Sequence, residues 1–286
     1  MEELLEHFRK AEKISIEIIQ FAKPLVKTDA KILDIAETIE NKIRELGGKP
    51  AWPVNISINE IAAHYTPEIN DAIKLEEGDL VKVDIGVQVN ACPLDRAFTV
   101  CVGKKSHPLI EASEKALEEA LKIMKAGTKV FEISEVTETA VNNLGFNVVR
   151  NLSGHGIAQY HQHAPPMIPN SKNTIQDELE SGKVYAMEVF TTNGSGVVIE
   201  SSPTGIFKYH GDKPVRLWEA RKILDTAKNE FDQLPFCKRW IKYISQVKLD
   251  IALKQLIEAE AIETYPPLKE QSNGLVAQTE ETVIIE

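Results

Sequence analysis

The sequence predicts an α+β fold in which a helix–helix–strand unit occurs twice and a helical lobe is inserted before the last strand. Two observations support the repeat. In each half of the chain, two helical apolar patterns precede a strand-like segment. The sequences that begin these two segments are also similar. LEEGDLVKVD places Asp84 six residues after Gly78, and LESGKVYAME places Glu188 six residues after Gly182. A third observation supports the lobe, because helical periodicity returns within residues 209–267.

If the two units are copies, they form one pseudo-twofold domain with a functional site between its halves. A chance match between two common patterns is the alternative, because short motifs also recur without shared structure. We expect a catalytic domain at residues 1–208 and 268–286 and an inserted helical subdomain at residues 209–267.

The composition is that of an ordinary globular protein. The chain has 286 residues with 43% hydrophobic side chains and a net charge of −10, which argues against a whole surface built for nucleic acid or an anionic membrane. Its three cysteines, Cys92, Cys101 and Cys237, indicate free thiols in a reducing compartment. The mixed-charge N-terminus does not resemble a signal peptide, and no apolar run approaches the roughly 18 residues of a membrane span. We therefore expect a cytoplasmic protein.

The first unit contains two predicted helices and a strand. Apolar residues follow helical spacing over residues 4–22 and again over residues 32–46, where Gly47 provides a C-terminal cap. A proline-rich stretch leads to His64, and LVKVDIG then alternates as a strand does.

The second unit repeats this order. Helices are predicted from about residue 108 to 124 and from about 130 to 144, where Gly145 ends the second helix. The strand KVYAMEVF follows a histidine-rich segment. Within the lobe, residues 217–224 and 251–257 have helical patterns, and the final strand covers residues 274–285.

Two aspartates at the ends of neighbouring strands suggest a metal site. Asp84 lies late in the first strand, Asp95 begins the next, and Asn90 and Pro93 between them favour a turn. The hairpin would bring the two carboxylates close together, where they repel each other unless a cation lies between them. The alternative is that one aspartate is solvated in the turn.

Two further carboxylates extend this hypothesis. Glu188 lies in an apolar strand, where an unpaired carboxylate would cost several kcal/mol, so it is expected to bind a metal or, alternatively, to pair with Lys183 or Lys208. Glu280 and Glu281 lie in the last strand, and alternation allows only one of them to face a given site. The spacing alone does not choose between them.

Three histidines lie within the segment NLSGHGIAQYHQHAPP. His155 and His163 are eight residues apart, and His161 shares their parity, so all three fit one face of a single strand. A neutral imidazole binds transition metals, and a second one nearby could act on substrate. A purely structural histidine is the alternative for each.

These residues occur in motifs that together resemble the methionine aminopeptidases. The motifs are NISINEIAAH, the Asp84/Asp95 pair, LSGH with a second histidine eight residues later, AME and NGLVAQTE. They span nearly the whole chain. The inserted lobe resembles the type 2 branch, and the short N-terminus resembles its archaeal members. The resemblance implies the pseudo-symmetric fold called pita-bread, with a dinuclear metal centre.

The resemblance also assigns roles to individual residues. It implies that Asp95 and Glu280 bridge both ions, that Asp84 binds the first ion, and that His155 and Glu188 bind the second. His64 and His163 match the histidines that face the substrate, and Glu280 is selected over Glu281. His64, His163 and Glu188 are thus the expected catalytic residues.

The implied reaction is hydrolytic removal of the initiator methionine from nascent polypeptides that have a small second residue. Four carboxylates and one imidazole suit two divalent cations such as Co, Mn, Zn or Fe. Two such ions about 3.5–4 Å apart can share a bridging hydroxide that attacks the peptide carbonyl. Glu188 would shuttle the proton, and His163 with His64 would stabilise the carbonyl oxygen. A non-catalytic relative that binds RNA or protein, and a proline dipeptidase, are the alternative functions.

The expected partner is the nascent chain's N-terminus, and we expect a monomer. Between Lys208 and Lys254 there are eleven Lys or Arg residues and six acids, a net charge of +5 that could steer the lobe to the ribosome. An ordinary solvated helical face is the alternative.

Four residues depart from the family pattern near the site. Arg96 stands where a small residue is usual, Pro165 where glycine is usual, and Thr279 and Glu281 where phenylalanine and histidine are common. We expect these departures to affect the local geometry of the site more than its function.

Overall fold

The structure, a computed structural model, describes residues 2–286. This part contains six α-helices, and their bounds are α1 Glu2–Ala22, α2 Ile32–Glu45, α3 Pro108–Ile123, α4 Val130–Asn143, α5 Trp218–Asn229 and α6 Gln246–Glu258. Short 3₁₀ turns cover Lys23–Leu25 and Lys238–Trp240. Gly47 and Gly145 have φ values of 84° and 82° just after α2 and α4, so both predicted helix ends are confirmed. None of the described helices has the length and apolar character that crossing a bilayer requires.

The described strands are numbered in chain order. In the first half they are β1 Lys49–Pro50, β2 Asn55–Ile58, β3 Ile61–Ala63, β4 Leu80–Val89 and β5 Cys92–Cys101. In the second half they are β6 Asn147–Val148, β7 Ser153–Ala158, β8 His161–Pro169 and β9 Val184–Thr192. The remaining strands are β10 Val198–Glu200, β11 Ile206–Tyr209, β12 Phe236–Cys237, β13 Ile262–Tyr265, β14 Leu268–Glu270 and β15 Val276–Ile284.

One central sheet contains nine strands in the order β1-β4-β5-β15-β9-β7-β8, with β2 also on β4 and β6 also on β9. The same pattern of strand pairing occurs in the first and second halves of the chain. Strands β1 and β2 pair with β4, and β4 pairs with β5. In the same way, β6 and β7 pair with β9, and β9 pairs with β15. The predicted internal repeat is therefore confirmed, and β5 meets β15 where the two halves join.

Each half covers the sheet with its own pair of helices. Apolar residues of α1 and α2 pack with Val83 and Val87 of β4 in one buried cluster. Residues of α3 and α4 pack with Met187 and Val189 of β9 in a second cluster. Because both helix pairs bury one apolar face of the sheet, its polar residues converge on the opposite side.

The lobe has a separate apolar core. It joins α5 and α6 with Phe207 of β11, Phe236 of β12 and Ile262 of β13, and these strands form a three-stranded sheet in the order β12-β11-β13. The boundaries of the inserted subdomain at residues 209–267 stay a proposal. Strand β11 already begins at Ile206, so the lobe's sheet includes residues on both sides of the proposed boundary.

Candidate metal centre and substrate pocket

Five adjacent strands of the central sheet each contribute one predicted ligand. Asp84 lies on β4, Asp95 on β5, Glu280 on β15, Glu188 on β9 and His155 on β7, which is the order of these strands in the sheet. Residues far apart in the chain thus come together because neighbouring strands are about 4.8 Å apart. The sheet brings all five predicted ligand residues to one region.

The strand register differs in one detail from the simplest expectation. The β4–β5 turn lies at Asn90 and Ala91, so Asp84 is opposite Ala97, and Asp95 is opposite Gly86. The two aspartates are therefore diagonal neighbours and not direct partners. They still share one face of the sheet, because partners and residues two apart point the same way. Glu280 is opposite both Glu188 and Ala97.

Three of these side chains already lie within reach of a single cation. Ligand atoms of Asp95, His155 and Glu280 are all within 4.8 Å of one another, and all three residues are buried. The His155 Nε2 atom is 3.8 Å from Asp95 Oδ2 and 3.6 Å from Glu188 Oε1. Asp84 and Glu188 flank this cluster.

Several buried atoms of the cluster have no hydrogen-bond partner. They include Asp95 Oδ1, Glu280 Oε1 and His155 Nε2. Leaving such polar atoms unpaired costs roughly 1–3 kcal/mol each, and more for a charged group. Within residues 2–286, no Lys or Arg side chain forms an ion pair with the four carboxylates. The donor set therefore fits a divalent cation, which would supply the partners that these atoms lack.

The electrostatics of the cluster point the same way. Burial raises the pKa of Asp95, Glu188 and Glu280 well above their usual values, and repulsion between neighbouring carboxylates adds to the shift. Burial also raises the pKa of Asp84 to about 6, although a hydrogen bond from Trp52 opposes the shift. A bound cation would reverse this repulsion and keep all four carboxylates ionised.

His155 presents the ring nitrogen that a metal requires. Its Nδ1 lies 3.0 Å from the backbone oxygen of Gly156, so Nδ1 carries the proton and donates it. The Nε2 lone pair then faces the carboxylates. Burial lowers the pKa of His155 to about 4, so the imidazole is neutral near pH 7.

The prediction that His155 and His163 share one strand is wrong. A turn at Gln159 and Tyr160 separates β7 from β8, and the register shifts along this pair. His163 still reaches the cluster from β8, since its ring centre is 4.5 Å from that of His155. Desolvation, with His155, His64 and Lys208 nearby, lowers the pKa of His163 well below its usual value. His161 is exposed and does not line the pocket.

His64 approaches from the other half of the molecule. It directly follows β3 in a left-handed backbone conformation with φ of 63°, which is uncommon for a residue other than glycine. Its ring packs edge-on against Tyr265 with centres 5.5 Å apart. Burial lowers the pKa of His64 to about 4 despite a backbone hydrogen bond at Pro266, and its Nδ1 has no partner.

A cavity of about 190 Å³ opens beside the cluster. Its polar wall contains Asp84, Asp95, His155, Glu188, His64 and His163. Its apolar wall includes Leu152, Phe190, Ile206 and Pro235, of which Pro235 belongs to the lobe. The cavity therefore combines a charged end with an apolar compartment, as a pocket for an amino acid with an apolar side chain would.

The sequence prediction missed three residues of this site. Trp52 and Tyr265 line the cavity, and Gln278 donates from Nε2 to Glu280 Oε2 at 3.2 Å. Gln278 could have been found, because it lies two residues before Glu280 on the same face of β15. A tryptophan between two short strands offers a weaker signal, and Tyr265 offers none before the lobe is placed.

The residues that depart from the family pattern lie outside the cavity. Arg96 forms an ion pair with Glu281 on the adjacent strand, and its Nε donates to Ser15 Oγ at 2.9 Å. Thr279 Oγ1 lies 2.7 Å from Ser113 Oγ of α3. Pro165 does not line the cavity either. Two of these departures therefore balance each other's charge in an ion pair outside the cavity.

Comparisons with known proteins agree with this geometry. A family model described as metallopeptidase family M24 matches residues 6–210. A methionine aminopeptidase from Thermococcus onnurineus is 46% identical over 279 residues, which cover 97% of this chain and 95% of the relative.

Two solved structures have a similar fold. A methionine aminopeptidase from Thermotoga maritima aligns with a TM-score of 0.73 at 20% identity, covering 100% of this chain and 94% of that one. The structure of a thermophilic Arx1 aligns with a TM-score of 0.87 at 17% identity, covering 98% of this chain and 87% of that one. At these identities, the structural likeness concerns the fold alone.

Proposed function

We propose that this chain, which belongs to metallopeptidase family M24 and removes N-terminal methionine as a metalloaminopeptidase, works with two divalent cations bound by Asp84, Asp95, His155, Glu188 and Glu280. The observation that supports this most is the set of buried, unpartnered ligand atoms on Asp95, His155 and Glu280. Neither a non-catalytic binding role nor proline dipeptidase activity has an observation in its favour.

The proposed division of the ligands follows the family resemblance. Asp95 and Glu280 lie at the meeting of the two halves, on β5 and β15, which suits residues that bridge both ions. Asp84 lies on the first half's side, next to Asp95. His155 and Glu188 lie on the second half's side, 3.6 Å apart. Carboxylates with one imidazole suit Mn, Fe, Co or Zn.

The two ions would supply Lewis acidity for the peptide carbonyl and would lower the pKa of a bound water. The chain's own residues complete the reaction. Glu188 accepts a proton from the attacking water and passes it to the leaving amine. His163, a neutral imidazole at the edge of the cluster, donates a hydrogen bond to the carbonyl oxygen as negative charge develops on it.

His64 has a ring nitrogen available for the substrate. The Nδ1 atom of its neutral imidazole is buried and has no hydrogen-bond partner. A neutral ring that donates from one nitrogen accepts at the other. We therefore propose that His64 presents this nitrogen to the substrate, where it joins His163 in stabilising the carbonyl oxygen.

The apolar compartment would hold the methionine side chain. Leu152, Phe190, Ile206 and Pro235 provide the wall, and the cavity of about 190 Å³ limits the size of its occupant. The proposed preference for a small second residue follows from the resemblance to the type 2 branch.

Metal titration tests the two-ion proposal. Calorimetry with Mn²⁺ on metal-free protein should give two sites per chain, and elemental analysis after dialysis should agree. Asp95→Asn should lose at least one site, because it removes charge from a proposed bridging ligand. Asp79→Asn, at an acid outside the cluster, is the matched control and should bind as the wild type does. Failure of the wild type to bind any divalent cation would refute the metal-centre proposal.

We also propose that the lobe's basic surface docks on the ribosome. Four of its exposed cations have no ion-pair partner within residues 2–286: Lys213, Arg216, Arg221 and Lys242. Lys228, Lys238 and Lys248 are paired with acids. Arg239 is only 5% exposed and pairs with Glu40, so it is excluded from this surface.

Charge reversal tests the docking proposal. Changing Lys213, Arg216, Arg221 and Lys242 to glutamate should weaken co-sedimentation with ribosomes at low salt, because surface charge interactions are screened within about 10 Å at 0.1 M salt. Cleavage of a free tripeptide should stay unchanged. Equal co-sedimentation of the wild type and the variant would end this proposal.

We further propose that the enzyme acts as a cytoplasmic monomer. Cys92, Cys101 and Cys237 are buried free thiols, which suits a reducing compartment. Light scattering at the working concentration tests the oligomeric state, and a mass above the 31.9 kDa of one chain would contradict it.

A further inference from the structure

Trp52 lies in the short link between β1 and β2, and both of these strands pair with β4. The backbone N–H of Ala51 donates to Gly86 O of β4 at 2.9 Å, so the link is attached directly beside the tryptophan. The indole is 7% exposed. A Cβ atom at Gly86 would come within 2.4 Å of the indole ring, so only glycine allows the ring to lie this close to β4.

This position places the only polar atom of the indole at a proposed metal ligand. Trp52 Nε1 donates to Asp84 Oδ1 at 3.0 Å. Asp84 and Gly86 share one face of β4, and Asp95 lies directly opposite Gly86 on β5. The indole therefore covers the strand between two of the proposed ligands. Tryptophan donates one hydrogen bond and accepts none through its ring nitrogen, so it cannot itself bind the cation.

We propose that Trp52 is a positioning residue that orients the Asp84 carboxylate for metal binding. This inference rests on the proposed function, because it requires Asp84 to be a ligand. The indole N–H occupies one lone pair of Oδ1 and fixes the rotation of the carboxylate about its Cβ–Cγ bond. The remaining lone pairs then face the cluster before a cation arrives.

The ring and the N–H group of Trp52 serve separate purposes. The ring packs with Ala51 of its own link and with Leu234 of the lobe in a small buried cluster. Packing of this kind needs only an aromatic ring. The hydrogen bond to Asp84 needs the N–H group, so a substitution that keeps a ring but removes the donor separates the two contributions.

Trp52→Phe is that substitution. Outer-shell partners of metal ligands typically contribute 10–100-fold to metal affinity, so the variant should bind Mn²⁺ about 10–100-fold more weakly at one site in calorimetry. Trp240→Phe is the matched control, because Trp240 Nε1 donates to another carboxylate, Glu40 Oε2, at 2.8 Å outside the cluster. The control should retain the wild-type affinity.

A double-mutant cycle separates positioning from a general structural effect. In an Asp84→Ala background, which removes the acceptor of the indole hydrogen bond, Trp52→Phe should produce little further loss of Mn²⁺ affinity, since the tryptophan acts through Asp84. Additive losses would mean that Trp52 acts by another route and would overturn the inference. If wild type binds no cation, the proposed function itself fails. If wild type binds two ions and Trp52→Phe binds both equally well, only the Trp52 inference fails.

A measurement on the wild-type protein does not depend on how the variant folds. The chain has three tryptophans, so a ¹H–¹⁵N spectrum should contain three indole signals. Saturation with diamagnetic Zn²⁺ should shift the Trp52 signal, while those of Trp218 and Trp240 should remain in place. Trp218→Phe and Trp240→Phe assign the signals by elimination. An unmoved Trp52 signal at full Zn²⁺ occupancy would contradict the proposal.

Discussion

A substitution at His163 should change the rate of the reaction without changing metal binding. Its imidazole lies beside His155 with ring centres 4.5 Å apart, and its lowered pKa keeps it neutral near pH 7. We expect His163→Ala to lower kcat about 100- to 1000-fold, the usual effect of losing one transition-state hydrogen-bond donor. Steady-state kinetics on a methionyl tripeptide measures the loss, and Mn²⁺ calorimetry should give wild-type affinity. An unchanged kcat would remove His163 from the mechanism.

At the residue scale, the sequence singled out the charged groups that the structure brings together, but not the aromatic residues beside them. Asp84, Asp95 and Glu188 could be found because a carboxylate in an apolar strand needs a partner. The choice of Glu280 over Glu281 needed the family resemblance. Trp52 offered only a weak signal and Tyr265 none, because neither spacing nor charge marks an aromatic residue whose role depends on a distant strand or on the lobe.

At the element scale, the β7–β8 hairpin was the clearest error in the prediction. His155, His161 and His163 have spacings that fit one strand, but the chain turns at Gln159 and Tyr160, where Tyr160 has φ of 65°. This turn lacks the glycine, proline or asparagine that usually marks a hairpin. Strand β7 pairs with both β8 and β9, and neither partner is marked near the turn in the sequence.

Glu270 joins the two strands that carry Glu188 and Glu280. It is fully buried and accepts hydrogen bonds from Ser195 Oγ at 2.6 Å, after β9, and from Gly274 N at 2.8 Å, before β15. Burial alone would raise the pKa of Glu270, but these hydrogen bonds, together with those from Ser272, outweigh it and lower the pKa to about 2. The ionised form therefore stabilises the fold.

The pH dependence of Glu270→Gln follows from this lowered pKa. The stabilisation is fully present above the unfolded pKa of 4.5 and is lost as pH falls towards about 2. The variant should lose unfolding free energy at pH 7, by up to about 3 kcal/mol at 1.36 kcal/mol per pKa unit. Urea unfolding at pH 7 and pH 3.5 measures the difference between the two proteins. A difference that stays constant or grows towards acid pH would contradict this account.

A buried ion pair joins the lobe to α2. Arg239 and Glu40 of α2 are both nearly inaccessible, and they make two hydrogen bonds of 2.8 and 3.1 Å. The Arg239 guanidinium also donates to Pro67 O at 2.8 Å. Because Pro235 lies four residues before Arg239 and lines the cavity, this anchor holds part of the substrate pocket in place.

Removing one partner of this pair should loosen that wall of the pocket. Glu40→Gln leaves the Arg239 charge buried, which typically costs about 3–5 kcal/mol of stability. We expect KM for a methionyl tripeptide to rise and Mn²⁺ affinity to stay unchanged. Lys254→Gln, which breaks the exposed pair with Glu258, is the control and should cost less than about 1 kcal/mol. An unchanged KM in Glu40→Gln would show that the anchor does not shape the pocket.

At the scale of the whole molecule, the repeat explains where the site lies. Each half provides an antiparallel strand pair, β4 with β5 and β9 with β15. The first pair is joined by a short turn, whereas the lobe lies in the chain between β9 and β15. The repeat was predictable, because helical and strand periodicities recur in the same order in both halves. The packing of the lobe against α2 was not predictable from the sequence, because a buried pair such as Glu40–Arg239 joins residues 199 positions apart.

The five proposed ligands and the adjacent pocket together should remove methionine before a small second residue. The most direct test is the kcat/KM of the Mn²⁺-loaded protein for Met-Ala-Ser, Met-Leu-Ser and Ala-Pro-Ser. We expect methionine to be released from Met-Ala-Ser, far more slowly from Met-Leu-Ser, with no cleavage of Ala-Pro-Ser, and Asp95→Asn should abolish the release. Cleavage of Ala-Pro-Ser at a rate comparable to that of Met-Ala-Ser, or full activity in Asp95→Asn, would contradict the account.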